Sequence, residues 1–214
     1  MPQREKARDE IASRTRLSRA TILNEALRLV DREGPSGLTM RALGNALGVE
    51  AMSLYHYVHG REELLDGLSE IMVVRLPKAS PDRPWQDAVR AFATGIRRIA
   101  LRHPAAFQLV GMRPLATDAV LRPVGTLLTR LQQAGLTAQA SVAAYRLLAS
   151  FARGFALAEI AGFTLGNSAP DYSAAATELT PFTTALSAKH AQAFHAALDI
   201  IVDGIAAQTS AQTS

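Results

Sequence analysis

Residues 38–55 read Leu-Thr-Met-Arg-Ala-Leu-Gly-Asn-Ala-Leu-Gly-Val-Glu-Ala-Met-Ser-Leu-Tyr (LTMRALGNALGVEAMSLY). The apolar spacing predicts two short helices, about Thr39–Leu47 and Glu50–Tyr57, joined by a turn at Gly48-Val49. Neither is long enough to hold its shape in isolation. Leu43 and Leu47 share one face, and Leu54 and Val58 share another, so each helix needs a partner to bury them. Such a pair, packed on its neighbours, is a helix-turn-helix unit. At about 100° per residue, Met52 and His56 lie nearly opposite Leu54, Ser53 and Tyr55 lie at the flanks, and Tyr57 lies at the inner shoulder. Short polar and aromatic groups on an outward face suit a major groove.

Helical spacing continues in both directions, and no run alternates as a strand does, so the chain is expected to be all-α. Ser18 is a good N-cap for a first helix whose apolar face is Ile22, Ala26 and Leu29. Gly34-Pro35-Ser36-Gly37 ends it as a turn. His59-Gly60 breaks the chain again, and a fourth helix runs from Arg61 to about Leu76. Three prolines within Pro77–Pro84 mark a boundary. Beyond it helices are predicted at about 85–102, 104–110, 117–134, 138–163 and 185–207. Gly166–Thr180 is small and polar and reads as a mobile loop. The domains are thus a flexible basic arm (1–17), a helix-turn-helix domain with its linking helix (18–76), a larger helical domain (77–207) and a disordered tail (208–214).

Composition narrows the function. The chain has 214 residues, 48% of them hydrophobic, enough for a substantial core. It has no cysteine, which excludes disulfides, zinc fingers and thiol catalysis. No apolar leader precedes the first helix, and the long apolar stretch Ser141–Phe163 is interrupted by Arg146, Arg153 and Glu159. A cytoplasmic protein with no membrane span is therefore expected. The net charge is +4, and 20 of the 23 basic residues are arginine. Residues 1–76 nonetheless hold 11 basic and 11 acidic groups. The positive excess is concentrated in residues 1–20, and some of the later acids, notably Glu62, Glu63, Asp66 and Glu70, must face away from any DNA. No nucleophile elbow, phosphate loop, zinc-protease or dinucleotide fingerprint is present, so no enzyme, cofactor or metal is expected.

Thr39-Met40-Arg41-Ala42-Leu43, Leu47-Gly48-Val49, Leu54-Tyr55-His56-Tyr57-Val58 and Arg61-Glu62-Glu63-Leu64-Leu65 together resemble the DNA-binding signature of TetR-family transcriptional regulators. Trp85-Gln86-Asp87, Arg113-Pro114 and the helix from Ala138 resemble the tetracycline-repressor-like C-terminal domain more weakly. The resemblance implies a homodimeric, ligand-responsive DNA-binding repressor acting on a near-palindromic double-stranded operator. The alternative is a helical small-molecule binder with no DNA role. Carried over residue by residue, Thr39 caps its helix and meets a phosphate, Arg41 forks onto a guanine edge, and Ala51 and Met52 reach base level. Ser53, Tyr55 and Tyr57 touch phosphate or base, His56 takes a position often aromatic in relatives, and Arg61 meets a phosphate. In the second domain the candidate ligand-binding residues are Phe92, Ile96, His103, Phe107, Gln108, Met112, Tyr145 and Phe155, and the effector is expected to be small and apolar. Arg146 and Arg153 are placed at the rim of the dimer interface, with the pocket as their alternative. Tetracycline repressors hold a magnesium–drug complex with histidines, and no histidine stands near Val110 or Pro77, so neither tetracycline nor its metal is expected.

Overall fold

The computed structural model describes residues 17–77, 83–114, 117–162 and 189–211. The basic arm, the Gly166–Thr180 stretch, most of the proline-rich connection and the last three residues lie outside them. Nine α-helices and no strand are found among the described residues. They are α1 (Arg19–Glu33), α2 (Met40–Leu47), α3 (Ala51–Leu54), α4 (Arg61–Val74), α5 (Trp85–Arg102), α6 (Pro104–Val110), α7 (Asp118–Gln133), α8 (Ala138–Ile160) and α9 (His190–Ala211).

The caps explain where the head's helices start and stop. Ser18 Oγ accepts the Thr21 amide at 3.1 Å and opens α1. Thr39 Oγ1 does the same for Ala42 at 3.1 Å and opens α2. Gly48, at φ 67°, ends α2 in the left-handed region that a side chain disfavours. The turn that follows packs so closely that a Cβ on Gly44 would stand 2.8 Å from the Val49 carbonyl. A 3-10 turn, Pro35–Gly37, stands where the Gly-Pro turn is expected.

Two boundaries differ from expectation. The third helix keeps α-helical bonding only over Ala51–Leu54. Beyond it the Tyr55 and Tyr57 amides bond to the carbonyls three residues back, Met52 at 3.2 Å and Leu54 at 2.9 Å, so the chain tightens before the His59-Gly60 break. The last helix runs on to Ala211 rather than stopping at 207. Ala206, Ala207 and Gln208 are good helix formers with no glycine or proline between them and Ala211, so the helix continues past 207.

Core positions follow the helical period. Ile22, Leu23, Ala26, Leu27, Leu29 and Val30 are buried on α1, and Leu64, Leu65, Leu68 and Met72 on α4. Leu43, Leu54 and Val58 are fully buried against them. Each such side chain contributes about 1.5–3 kcal/mol, which supplies what the short α2 and α3 lack in intrinsic stability. In the body α5 packs most extensively on α8, with α7 and α9 beside them. The linking helix α4 touches head and body alike, packing on α1, α6 and α7.

Candidate DNA-reading face and ligand cavity

With Leu54 and Val58 turned inward, α3 and the turn after it present Met52 (71% exposed), Tyr55 (42%) and Tyr57 (38%) outward, with His56 beside them. Ala51 and Ser53 are half-buried at the flanks. Thr39 and Arg41, at the start of α2, are exposed. The nine residues singled out for DNA contact therefore lie on the cap and first turn of α2, on α3 and the turn that follows it, and at the start of α4. Arg61 is exposed but already occupied: its guanidinium donates to the carbonyls of Leu38 and Pro35. It braces the segment that leads into Thr39, a role its spacing did not reveal.

The acidic face of α4 is neutralised from two sides. Arg19 pairs with Glu70 at 2.9 Å and with Glu63 at 3.6 Å. From the body, Arg113 donates through Nε and Nη2 to Asp66 at 3.0 and 2.6 Å, and through Nη2 to Glu62 at 3.1 Å. The hydrogen bonds to Asp66 lead in raising the Arg113 pKa above its ordinary value. Glu63 accepts the His59 amide at 2.7 Å and faces its ring nitrogen at 2.9 Å, which holds its carboxyl below the usual value.

A second joint ties head to body. Arg75, just past α4, donates to His103 Nε2 at 3.2 Å and to Asn24 of α1 at 3.2 Å. Because arginine can only donate, Nε2 must accept, and the proton sits on Nδ1, 2.7 Å from Asp31 Oδ2. His103 is thus a buried structural residue held by exposed partners at the head–body joint, and not the ligand contact expected of it.

The body encloses a cavity of about 40 Å³ whose walls include Met72, Phe92, Ile96, Phe107, Tyr145, Arg113 and Arg153. It shares Leu76 and Phe92 with a wider cleft of about 650 Å³ between the end of α4 and helices α5 and α7. Four expected ligand residues, Phe92, Ile96, Phe107 and Tyr145, converge there, with Phe92 and Tyr145 edge to face at 6.0 Å. Three besides His103 do not. Gln108 is exposed on the outer face of α6, and Met112, past the end of that helix, is 69% exposed. Phe155 lies about 80° around α8 from Tyr145 and packs on Phe194 of α9 at 5.2 Å. Arg153, assigned above to the dimer rim, lines the cavity instead. The linking-helix residues Ser69, Met72, Val73 and Leu76 in the walls were missed, because their spacing reads equally well as core.

Two family models cover nearly all of this architecture. Residues 22–68 match bacterial regulatory proteins of the tetR family, and residues 76–209 match the tetracyclin repressor-like C-terminal domain. The chain belongs to the TetR family of transcriptional regulators. The boundary between the two matches falls at the end of α4. The transcriptional repressor DrrR1 of Streptomyces coeruleorubidus is 31% identical over 143 residues, 65% of this chain and 52% of that protein. The class A tetracycline repressor from Escherichia coli is 30% identical over 214 residues, covering 90% of this chain and 92% of the repressor. The chain spans about half the length of several curated relatives it matches. Among solved structures, the TetR regulator SCO7222 of Streptomyces coelicolor superimposes with a TM-score of 0.76 at 25% identity, over 90% of this chain and 99% of that one. In this TetR-family chain the nine candidate DNA-contact residues fall within the stretch that the first family model covers, while the cavity lies between α4 and the body.

Proposed function

We propose that the protein is a homodimeric transcriptional repressor that binds a near-palindromic operator and leaves it when a small molecule enters the body. The observation that carries this reading is a single helix, α4, with Arg61 at the DNA-facing end and Met72, Val73 and Leu76 at the cavity end. The family supports the same division, since relatives matched over the head and body are named repressors, DrrR1 and the class A tetracycline repressor among them. The outward face of α3 has the size and chemistry for a major groove, with Met52 at base level and tyrosines toward the backbone.

Exposed apolar residues on the last two helices support the dimer. Val142 and Leu147 on α8 and Ile200 on α9 are exposed at 37%, 55% and 73%, with Gly154 and Gly204 exposed beside them. A two-fold axis through this face would present two α3 helices to two half-sites. The cleft volume lies within the usual range for small-molecule sites. The test is to enrich genomic fragments on the purified protein and measure their binding by anisotropy across salt. A saturable complex of one dimer per duplex, weakening steeply with salt, is expected. Binding that Met52→Glu leaves unchanged would overturn the assignment of α3.

A further inference from the structure

The lining of the cavity and cleft has one property beyond shape. Arg113 and Arg153 stand in the inner walls and Arg122 in the outer cleft, and among the described residues no aspartate or glutamate lines either. The chain as a whole carries nearly as many acids as bases, 19 against 23, so three cations without an acid are a local bias. Arg153 is half-buried, yet among the described residues its guanidinium has no hydrogen-bond or ion-pair partner. Arg113 uses Nε and Nη2 on Asp66 and Glu62 and leaves Nη1 without a hydrogen-bond partner among the described residues. These N–H groups are not sealed from solvent, and an anion entering the cavity would accept from them in charge-assisted hydrogen bonds.

We infer that the effector is an anion: a drug-sized aromatic acid whose rings fill the cleft beside Phe92 while its acid group meets Arg153 and reaches Arg113. This rests on the reading of the cavity as the effector site, and it replaces the apolar effector expected from the sequence. It also gives the switch a contact to act through. Arg113 is the body's hold on Asp66 and Glu62 of α4. An anion that takes up the guanidinium competes with those carboxylates and loosens the linking helix from the body.

The test uses the full chain and two fluorescent probes with the same rings, anilinonaphthalene sulfonate and the uncharged phenylnaphthylamine. The sulfonate is expected to bind about tenfold more tightly than the amine, as a charge-assisted bond implies. Arg153→Met should remove about tenfold of sulfonate affinity and leave the amine within about twofold. Arg153→Gln should repeat that loss without the change in packing, and Arg153→Lys should keep most of the preference. Phe92→Trp, which crowds the shared wall, should weaken both probes. Equal affinity for the two probes, or equal weakening of both by Arg153→Met and Arg153→Gln, overturns the anion site while the Phe92→Trp effect upholds the cavity. If Phe92→Trp changes neither probe, they bind elsewhere, and the cavity reading falls together with the inference.

Discussion

Single residues divide into those that hold the reading head together and those proposed to meet DNA. Leu54 is fully buried, so Leu54→Ala should cost about 2–5 kcal/mol in urea denaturation and abolish operator binding by unfolding α3. Arg41 is exposed at the start of α2 and has no such role. Arg41→Ala should leave stability unchanged and cost about 1–3 kcal/mol of operator affinity, mostly at one base pair. Equal weakening of cognate and scrambled DNA would show that it reads no base. Glu63 supplies a pH dependence. The His59 amide lowers its carboxyl pKa below the ordinary 4.5. Its contribution is therefore fully present above about pH 4.5 and is lost as pH falls through the folded-state pKa. Glu63→Gln should be less stable than the wild type at neutral pH, and the two denaturation midpoints should converge in acid. These residue roles were only partly legible in sequence. The orientation of Met52 and Tyr55 follows from helical spacing alone, but the bracing by Arg61 depends on a turn 23 residues away. His103 looks like a ligand group until Asp31 and Arg75, 72 and 28 residues distant, are seen around it.

At the scale of elements, α4 is the part on which the account depends. Its helical period and its acidic face are plain in the sequence, and so is the need for those acids to avoid DNA. What neutralises them is not, because Arg19 comes from the head and Arg113 from the body, 51 residues from Glu70 and 47 from Asp66 in sequence. Gly67 shows how closely α4 lies on α1: an added Cβ would stand 2.3 Å from a Leu23 methyl. Gly67→Ala should therefore destabilise by about 1–3 kcal/mol despite the higher helix propensity of alanine. A stabilised variant would mean that α1 and α4 are less tightly packed than described. The aromatic residues of α8 illustrate a second limit of sequence reading. Phe155 and Tyr145 are equally good pocket candidates by composition, and only the placement of α9 against Phe151 and Phe155 separates them.

For the whole molecule, the account joins a reading head, a linking helix and a cavity into one switch operating in a dimer. Leu147→Glu with Ile200→Glu should produce monomers by light scattering and lose operator affinity, although neither residue touches DNA. Switching follows because a tilt of α4 changes the spacing of two heads on a stiff duplex, where bending a site of 20–30 base pairs costs about 1–6 kcal/mol. Ligand and operator then compete through two dimer conformations, and the coupling is reciprocal. The most direct measurement is a double titration. Ligand affinity is measured with and without saturating operator, and operator affinity with and without saturating ligand, using an acid selected by thermal shift. The account predicts that each weakens the other by the same factor, about 5–150-fold. Ligand affinity that stays the same when operator is bound would contradict it.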